Sequence, residues 1–371
     1  MSHDNSSIII LTSVWLNLMT FKFIDLFAGI GGFRIALDRV GGRCVFSSDI
    51  DKDCRKTYYE NFGEMPFGDI TQINPEDVPE HDVLCAGFPC QPFSICGLKR
   101  GFEDTRGTLF FNLMQIVRAK KPRVVFLENV KHLKYHDQGR TLATIIESLK
   151  EAGYYVQWQI LNSKDFGLAQ NRERIIIMGT KNKPFNFDNL MKNPSKKIRD
   201  ILEDRSDFPY LDNSEYTLLD PSRWKVQESG LIFCGYRNKS IRKAGVRENT
   251  EHLSRVHKQP NRIYHIDGTH PTLSSQEISG RFFIYDGVRV RKLTIGECYR
   301  LQGFPDTYKR VSSTASQYLQ IGNSVAIPMI EAVARELLMN NLDISFSSVT
   351  EFLDLSIDSN MNESSKLLHM V

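Results

Sequence analysis

Phe21 to Val40 leaves this chain little choice of fold. "FKFIDLF" is a β-rich run, "AGIGG" breaks it, and Phe33, Ile35, Ala36, Leu37 and Val40 of "FRIALDRVGG" then recur on one helical face that stops at glycine. Strand, glycine loop and helix in that order open a nucleotide-binding α/β fold built on a parallel sheet. The glycines are spaced Gly29-x-Gly31-Gly32, which is not the dinucleotide pattern, and no Gly-Lys-Ser/Thr is present for a triphosphate. Acids follow the next extended runs. Arg43 to Ser47 reads as a second strand ending before Asp49, and a short third extended stretch precedes Asp69 and Ile70. Asp49 suits ribose hydroxyls, Asp69 an adenine amino group, and Asp25 lies near the loop expected to hold a ligand's charged end. Carboxylates in these places favour an adenosyl ligand with sulfonium and amino groups over a pyrophosphate that they would repel.

The second organising stretch is "VLCAGFPCQPFSICG", Val83 to Gly97. Its apolar start can finish a buried strand, and Gly87, Pro89 and Pro92 then stiffen a loop that carries Cys90. Strand carboxyl ends are where open α/β sheets bind ligands, so Cys90 is well placed for a thiolate nucleophile. Leu109 to Val117 follows as an ordinary amphipathic core helix, and Val124 to Leu127 as a fifth strand ending in Glu128-Asn129-Val130. Another helix carries Leu142, Ile145, Ile146 and Leu149 before Gly153. "YYVQWQILN" and "RIIIMGT" close the sheet, with Arg172 and Arg174 alternating so that both face one side just before the last strand.

Composition sets the remaining bounds. A chain of 371 residues suggests two domains, and a formal net charge of +3 means that any basic footprint is local. The seven cysteines form no C-x-x-C pair, which points to a reducing compartment and away from a zinc ribbon or disulfide scaffold. Ile8 to Met19 is too short to span a bilayer and lacks a basic flank, so translation is expected to start at Met19. From about Lys183 the apolar periodicity fades. Between Ser222 and Arg262, basic residues including Arg237, Arg242, Lys243 and Arg255 far outnumber acids and are interleaved with Trp224, Phe233 and Tyr236, a footprint for phosphate contacts. The last amphipathic helix, with Ile330, Val333, Ala334, Leu337 and Leu338, is expected to pack back on the first domain. The division expected is an extension at 1–20, a catalytic and cofactor domain at 21–184 plus 318–342, a recognition domain at 185–317 and a tail at 343–371.

Taken in order, "DLFAGIGG", "GFPCQPFS", "ENV", "QNRERI", "RKLTIGECYRLQGFPD" and "GNSV" closely resemble the motifs of the DNA (cytosine-5)-methyltransferases of bacterial restriction-modification systems. They span nearly the whole chain from Met19 to Leu338. The resemblance implies an α/β, Rossmann-like S-adenosylmethionine-dependent methyltransferase domain with a smaller, loop- and β-rich target-recognition domain. It implies methyl transfer to C5 of a cytosine flipped out of double-stranded DNA, through a covalent bond from Cys90 to C6. Glu128 then corresponds to the residue that hydrogen-bonds N3, and Arg174, supported by Arg172, to the one that holds O2. S-adenosylmethionine, leaving as S-adenosylhomocysteine, and no metal are implied. Its contacts would come from Asp25, Phe27, Gly29, Gly31, Asp49, Ile50, Asp69, Ile70 and Asn323, with Asp49-Ile50 standing where many family members carry Glu and an aromatic. DNA contacts would come from Gln91, Ser94, Arg237, Arg242, Lys243, Arg255 and Thr272, with Ser94 closing over the extruded base. A cytoplasmic, nucleoid-associated monomer that protects DNA alongside a cognate restriction endonuclease, with no membrane contact, completes the expectation. Two alternatives stand beside it. A transfer RNA cytosine-5 methyltransferase would carry a Cys-Phe-Thr tripeptide that this chain lacks, and a non-catalytic DNA-binding homologue has no need of a nucleophile.

Overall fold

The structure, a computed structural model, describes residues 21–89, 109–239 and 250–342. Cys90, Gln91, Ser94, Arg242 and Lys243 lie outside the described residues, as do the extension 1–20 and the tail 343–371.

A six-stranded sheet forms the centre. Its strands are β1 (Phe21–Leu26), β2 (Gly42–Ser48), β3 (Val83–Gly87), β4 (Val124–Val130), β5 (Tyr155–Asn162) and β7 (Glu173–Thr180), in the order β2-β1-β3-β4-β7-β5. Helical crossovers make the first four parallel: α1 (Gly32–Asp38), α2 (Lys52–Phe62) and α3 (Leu109–Lys120). α4 (Arg140–Glu151) likewise carries the chain from β4 to β5. The connection from β5 to β7 is a short return that holds only a one-turn helix and β6 (Gln170–Asn171), so β7 runs antiparallel and slots between β4 and β5. The alternating side chains divide the core in two. Phe23, Cys85, Phe126 and Ile176 face α1 and the C-terminal helix, whereas Ile24, Leu84, Val125 and Ile175 face α3 and α4. Both faces are covered, which is why the central strands read as unbroken apolar runs.

The second sheet has five short strands: β8 (Tyr216–Leu218), β9 (Phe233–Arg237), β10 (Arg262–His265), β12 (Phe283–Tyr285) and β13 (Val290–Lys292). Cys234, Ile263, Phe283 and Val290 make its own small core. β11 (His270–Pro271) leaves this region and pairs with β6, so a two-residue parallel joint ties the second sheet to the chain entering β7. α5 (Ile295–Gln302) begins at a capping box between Thr294 and Glu297 and ends at Gly303 in the left-handed conformation. α5 packs on α6 (Thr314–Asn323), and α7 (Ile327–Asn340) returns onto α1, the place its apolar face predicted.

One expected strand is absent. The stretch before Asp69 makes only a bridge between Ser48 and Phe67, and Asp69 caps the one-turn helix Ile70–Gln72 by accepting from Thr71 N at 2.9 Å. The strand carrying Glu128 is therefore the fourth, not the fifth. Among the described residues no helix is long and apolar enough to cross a membrane.

Candidate active site

The glycine loop is shaped by backbone that few residues tolerate. Phe27, Gly29 and Gly31 have φ of 58°, 54° and 80°. For phenylalanine this is a strained conformation of the kind that persists where surrounding structure enforces it, commonly at binding sites. Glycine is required at 31 because a Cβ there would lie 2.3 Å from the Phe62 ring. Asp49, just past β2, locks the loop: its Oδ2 accepts from Gly29 N and its Oδ1 from Asp51 N, both at 2.8 Å. Burial raises the Asp49 pKa above the usual carboxylate value, and those two amide bonds oppose the rise.

A cavity of about 770 Å³ opens across the carboxyl ends of β1 to β4. One wall is the loop from Phe27 with Asp49 and Ile50, and the floor is Gly87 to Pro89. Gly322 to Val325, the end of α6 and the turn toward α7, forms the next wall; Thr272 to Ser275, following β11, together with Gln259, forms the last. The two halves of the chain thus enclose one space.

At its inner end lie Glu128 and Arg174. Because β7 is antiparallel, its first residues meet the last residues of β4, and Arg174 pairs across from Val130. Arg174 Nε stands 3.0 Å from Glu128 Oε1, off the line of a hydrogen bond, so the contact is coulombic and Oε1 keeps no hydrogen-bond partner. Burial raises the Glu128 pKa, while the charges of Arg174 and Arg172 pull against it. Arg174 is oriented by donating from Nη1 to Glu173 O at 2.8 Å, and Lys131 Nζ holds the Glu173 carboxylate at 2.8 Å. The result is a buried acid with a free oxygen, flanked by a fixed cation, on the wall of a cavity large enough for a planar base. Asn129, beside it, donates from Nδ2 to Phe88 O at 2.8 Å and accepts from Val130 N at 2.8 Å. It thereby pins the backbone that leads through Pro89 to Cys90.

The cavity gathers Phe27, Gly29, Asp49, Ile50, Glu128, Arg174, Thr272 and Asn323 from the residues read in the sequence. Several others are elsewhere. Asp25 is wholly buried between β2 and β3, with neither carboxyl oxygen hydrogen-bonded, and burial raises its pKa well above the usual value; it does not face the ligand space. Gly31 packs against Phe62, while Asp69 and Ile70 form the capped turn behind Phe67. Arg172 does not line the cavity as Arg174 does: it is fully buried, close enough for its charge to act on Glu128, and donates to the carbonyls of Gly322 (3.0 Å), Ser324 (2.6 Å) and Leu273 (3.4 Å) in the cavity walls. Arg237 is largely covered, paired with Glu215 at 2.7 Å and stacked over Phe283, so it serves the second sheet's packing rather than a phosphate. Arg255 is exposed. Asn129, Gln259 and Ser274 were not singled out. Asn129 sits inside the Glu-Asn-Val motif and was findable; Gln259 has no local signal and reaches the cavity by donating to Thr272 O at 3.1 Å.

A family model described as C-5 cytosine-specific DNA methylase matches residues 21–339. The chain is 40% identical over 335 residues to the Type II methyltransferase M.HhaI of Haemophilus parahaemolyticus, covering 85% of this chain and 94% of that protein. It is 43% identical over 328 residues to the Type II methyltransferase M.HpaII of Haemophilus parainfluenzae, covering 86% and 89%. Among solved structures, the Dnmt2 methyltransferase of S. pombe aligns with a TM-score of 0.60 at 19% identity, over 86% of this chain and 98% of that one. At that identity the likeness speaks to the fold alone.

Proposed function

The chain belongs to the C-5 cytosine-specific DNA methylase family, and from that membership we propose that it methylates C5 of a cytosine flipped out of a short specific DNA duplex. The carrying observation is that Glu128 and Arg174 stand on the wall of the same cavity as the strained glycine loop.

The glycine-loop end fits S-adenosylmethionine. A Cβ at Gly29 would meet nothing within 4 Å, so the loop leaves open room beside the Asp49 carboxylate, and exposed Ile50 offers an aliphatic cover for an adenine face. Such a ligand supplies an electrophilic methyl group on a sulfonium. Phe27, Gly29, Asp49, Ile50 and Asn323 would hold it.

C5 of cytosine is a weak nucleophile, and covalent addition at C6 divides the difficult step in two. The Cys90 thiolate, directly after Pro89 in the sequence, adds to C6. Glu128, whose pKa burial raises against the pull of Arg174 and Arg172, gives a proton to N3, so the displaced electron pair makes C5 enamine-like. Arg174 fixes O2 and balances the charge that develops on the ring. Once C5 carries the methyl group, water removes the C5 proton, the C5–C6 double bond re-forms, Cys90 leaves as thiolate and N3 returns its proton to Glu128. None of these ring atoms is reachable in a stacked duplex, so the base must leave the helix. Exposed Arg255, with Arg242 and Lys243, would meet the phosphates. The "Type II" names of the relatives support a protective role within a restriction-modification system.

Bisulfite mapping of duplex DNA incubated with enzyme and S-adenosylmethionine should reveal methylated cytosines in one sequence context. Duplex carrying 5-fluorocytosine there should trap a stable adduct on the peptide containing residue 90, and Cys90→Ala should still bind the duplex but transfer nothing. Turnover by Cys90→Ala would discard the mechanism.

A further inference from the structure

Arg172 and Arg291 are the two largest fully buried side chains among the described residues, and Arg172 does not itself line the cavity. Its hydrogen-bond acceptors are main-chain carbonyls from two distant segments. Nη2 holds Gly322 O and Ser324 O, the carbonyls on either side of Asn323, and Nη1 reaches Leu273 O, next to Thr272 and Ser274. One planar fork therefore grips two walls of the cavity, the one expected against the adenosyl ligand and the one expected against the target base.

Two further observations make this a joint without slack. A Cβ at Gly322 would lie 2.3 Å from Ser275 N and 2.4 Å from Ser275 Cα, so the walls already meet backbone to backbone. Gln170 grips the other side of Leu273: its Oε1 accepts from Leu273 N at 3.1 Å, and its Nε2 donates to Leu301 O at 2.9 Å. Movement of one wall must therefore carry the other, because close-packed backbone has no compressible layer to absorb it.

We propose that Arg172 is a positioning residue that couples the Gly322–Ser324 wall to the Thr272–Ser275 wall, so that an occupied adenosyl site changes affinity for duplex DNA and the reverse. The proposal rests on the function proposed above, and coupling requires only that each ligand prefer one arrangement of the joint. Lysine at 172 keeps the positive charge but loses the fork, so it isolates the geometry from the electrostatics.

The test uses S-adenosylhomocysteine and a duplex bearing the mapped methylation sequence. The dissociation constant of the duplex is measured with and without saturating S-adenosylhomocysteine, and that of S-adenosylhomocysteine with and without duplex. For the wild type both ratios should agree and reach about fivefold or more, as linkage requires. For Arg172→Lys the ratio should fall toward one, while each ligand alone binds within about threefold of wild type. Gln170→Ala, which loosens the same Leu273, should lower the ratio too and serves if the lysine variant does not fold. A wild-type ratio of one, or an unchanged ratio in a folded variant, overturns the coupling while leaving the enzyme's function intact. Failure of the wild type to bind either ligand instead overturns the function, and the coupling with it.

Discussion

Asn129→Ala tests how the cavity floor governs the reaction. Its amide makes two bonds of 2.8 Å, one to Phe88 O and one from Val130 N. Phe88 and Asn129 are both buried, so the alanine variant strands the Phe88 carbonyl away from water; Val130 is 40% exposed and its amide can turn to solvent. A stranded buried acceptor costs about 1–3 kcal/mol, so stability should fall by about 2 kcal/mol. Turnover should fall further. Phe88 and Pro89 immediately precede Cys90, and a displacement of about 1 Å at a reacting atom costs on the order of 100-fold in rate. Single-turnover transfer of a tritiated methyl group to duplex, with thermal melting in parallel, separates the two effects. Asn129→Asp keeps the acceptor for Val130 N but sets an oxygen against the Phe88 carbonyl, and should do no better than alanine. A melting temperature lowered as expected with turnover within about twofold of wild type would refute the reasoning, leaving Asn129 a purely structural residue.

Three other outcomes follow from the site and its surroundings. Burial raises the Asp25 pKa well above the ordinary aspartate value, so between that value and the raised one folding takes up a proton, and stability falls as pH rises through that window. Asp25→Asn removes that dependence, and its melting temperature relative to wild type should climb as pH rises above the ordinary aspartate range; a pH-independent difference would show that the Asp25 pKa is not raised in the fold. Glu128 must keep its proton to donate to N3, so wild-type turnover should decline on the alkaline side, whereas Glu128→Gln should show lower but flat turnover there. An alkaline limb that survives the substitution assigns it to another group. Arg255→Gln should weaken duplex binding and reduce the slope of log affinity against log salt by about 0.9, while Arg237→Ala should lower the melting temperature and leave the slope alone. Equal slope changes would mean that Arg237 reaches DNA despite its pairing with Glu215.

Much of this architecture was written locally. Apolar periodicity marked β1 to β5, β7 and the helices α1, α3 and α4 but not α2, and the stops at Gly87, Glu128 and Asp49 placed reactive groups at strand ends. Periodicity specifies which face of an element is buried and where it ends, because both depend on residues a few positions apart. Glu128 and Arg174 were each legible as charged groups at strand termini, whereas their meeting at one site was implied only by the resemblance to the methyltransferase family.

Partners brought from afar were decided by the tertiary fold alone. Alternation placed Arg172 and Arg174 together, but among the described residues the buried Arg172 guanidinium donates to carbonyls 101 to 152 residues distant, because a desolvated charge must take whatever acceptors the fold brings to it. Asp25 and Arg237 read as ligand contacts; Asp25 is an interior group enclosed by neighbouring strands, and Arg237 is a half-buried one held by Glu215 and Phe283. The insertion of β7 between β4 and β5, and the β6–β11 joint that closes the cavity, likewise leave no local trace. Sequence patterns set what each segment must bury, whereas the identity of the group that meets a buried charge is fixed only when distant segments share one interior.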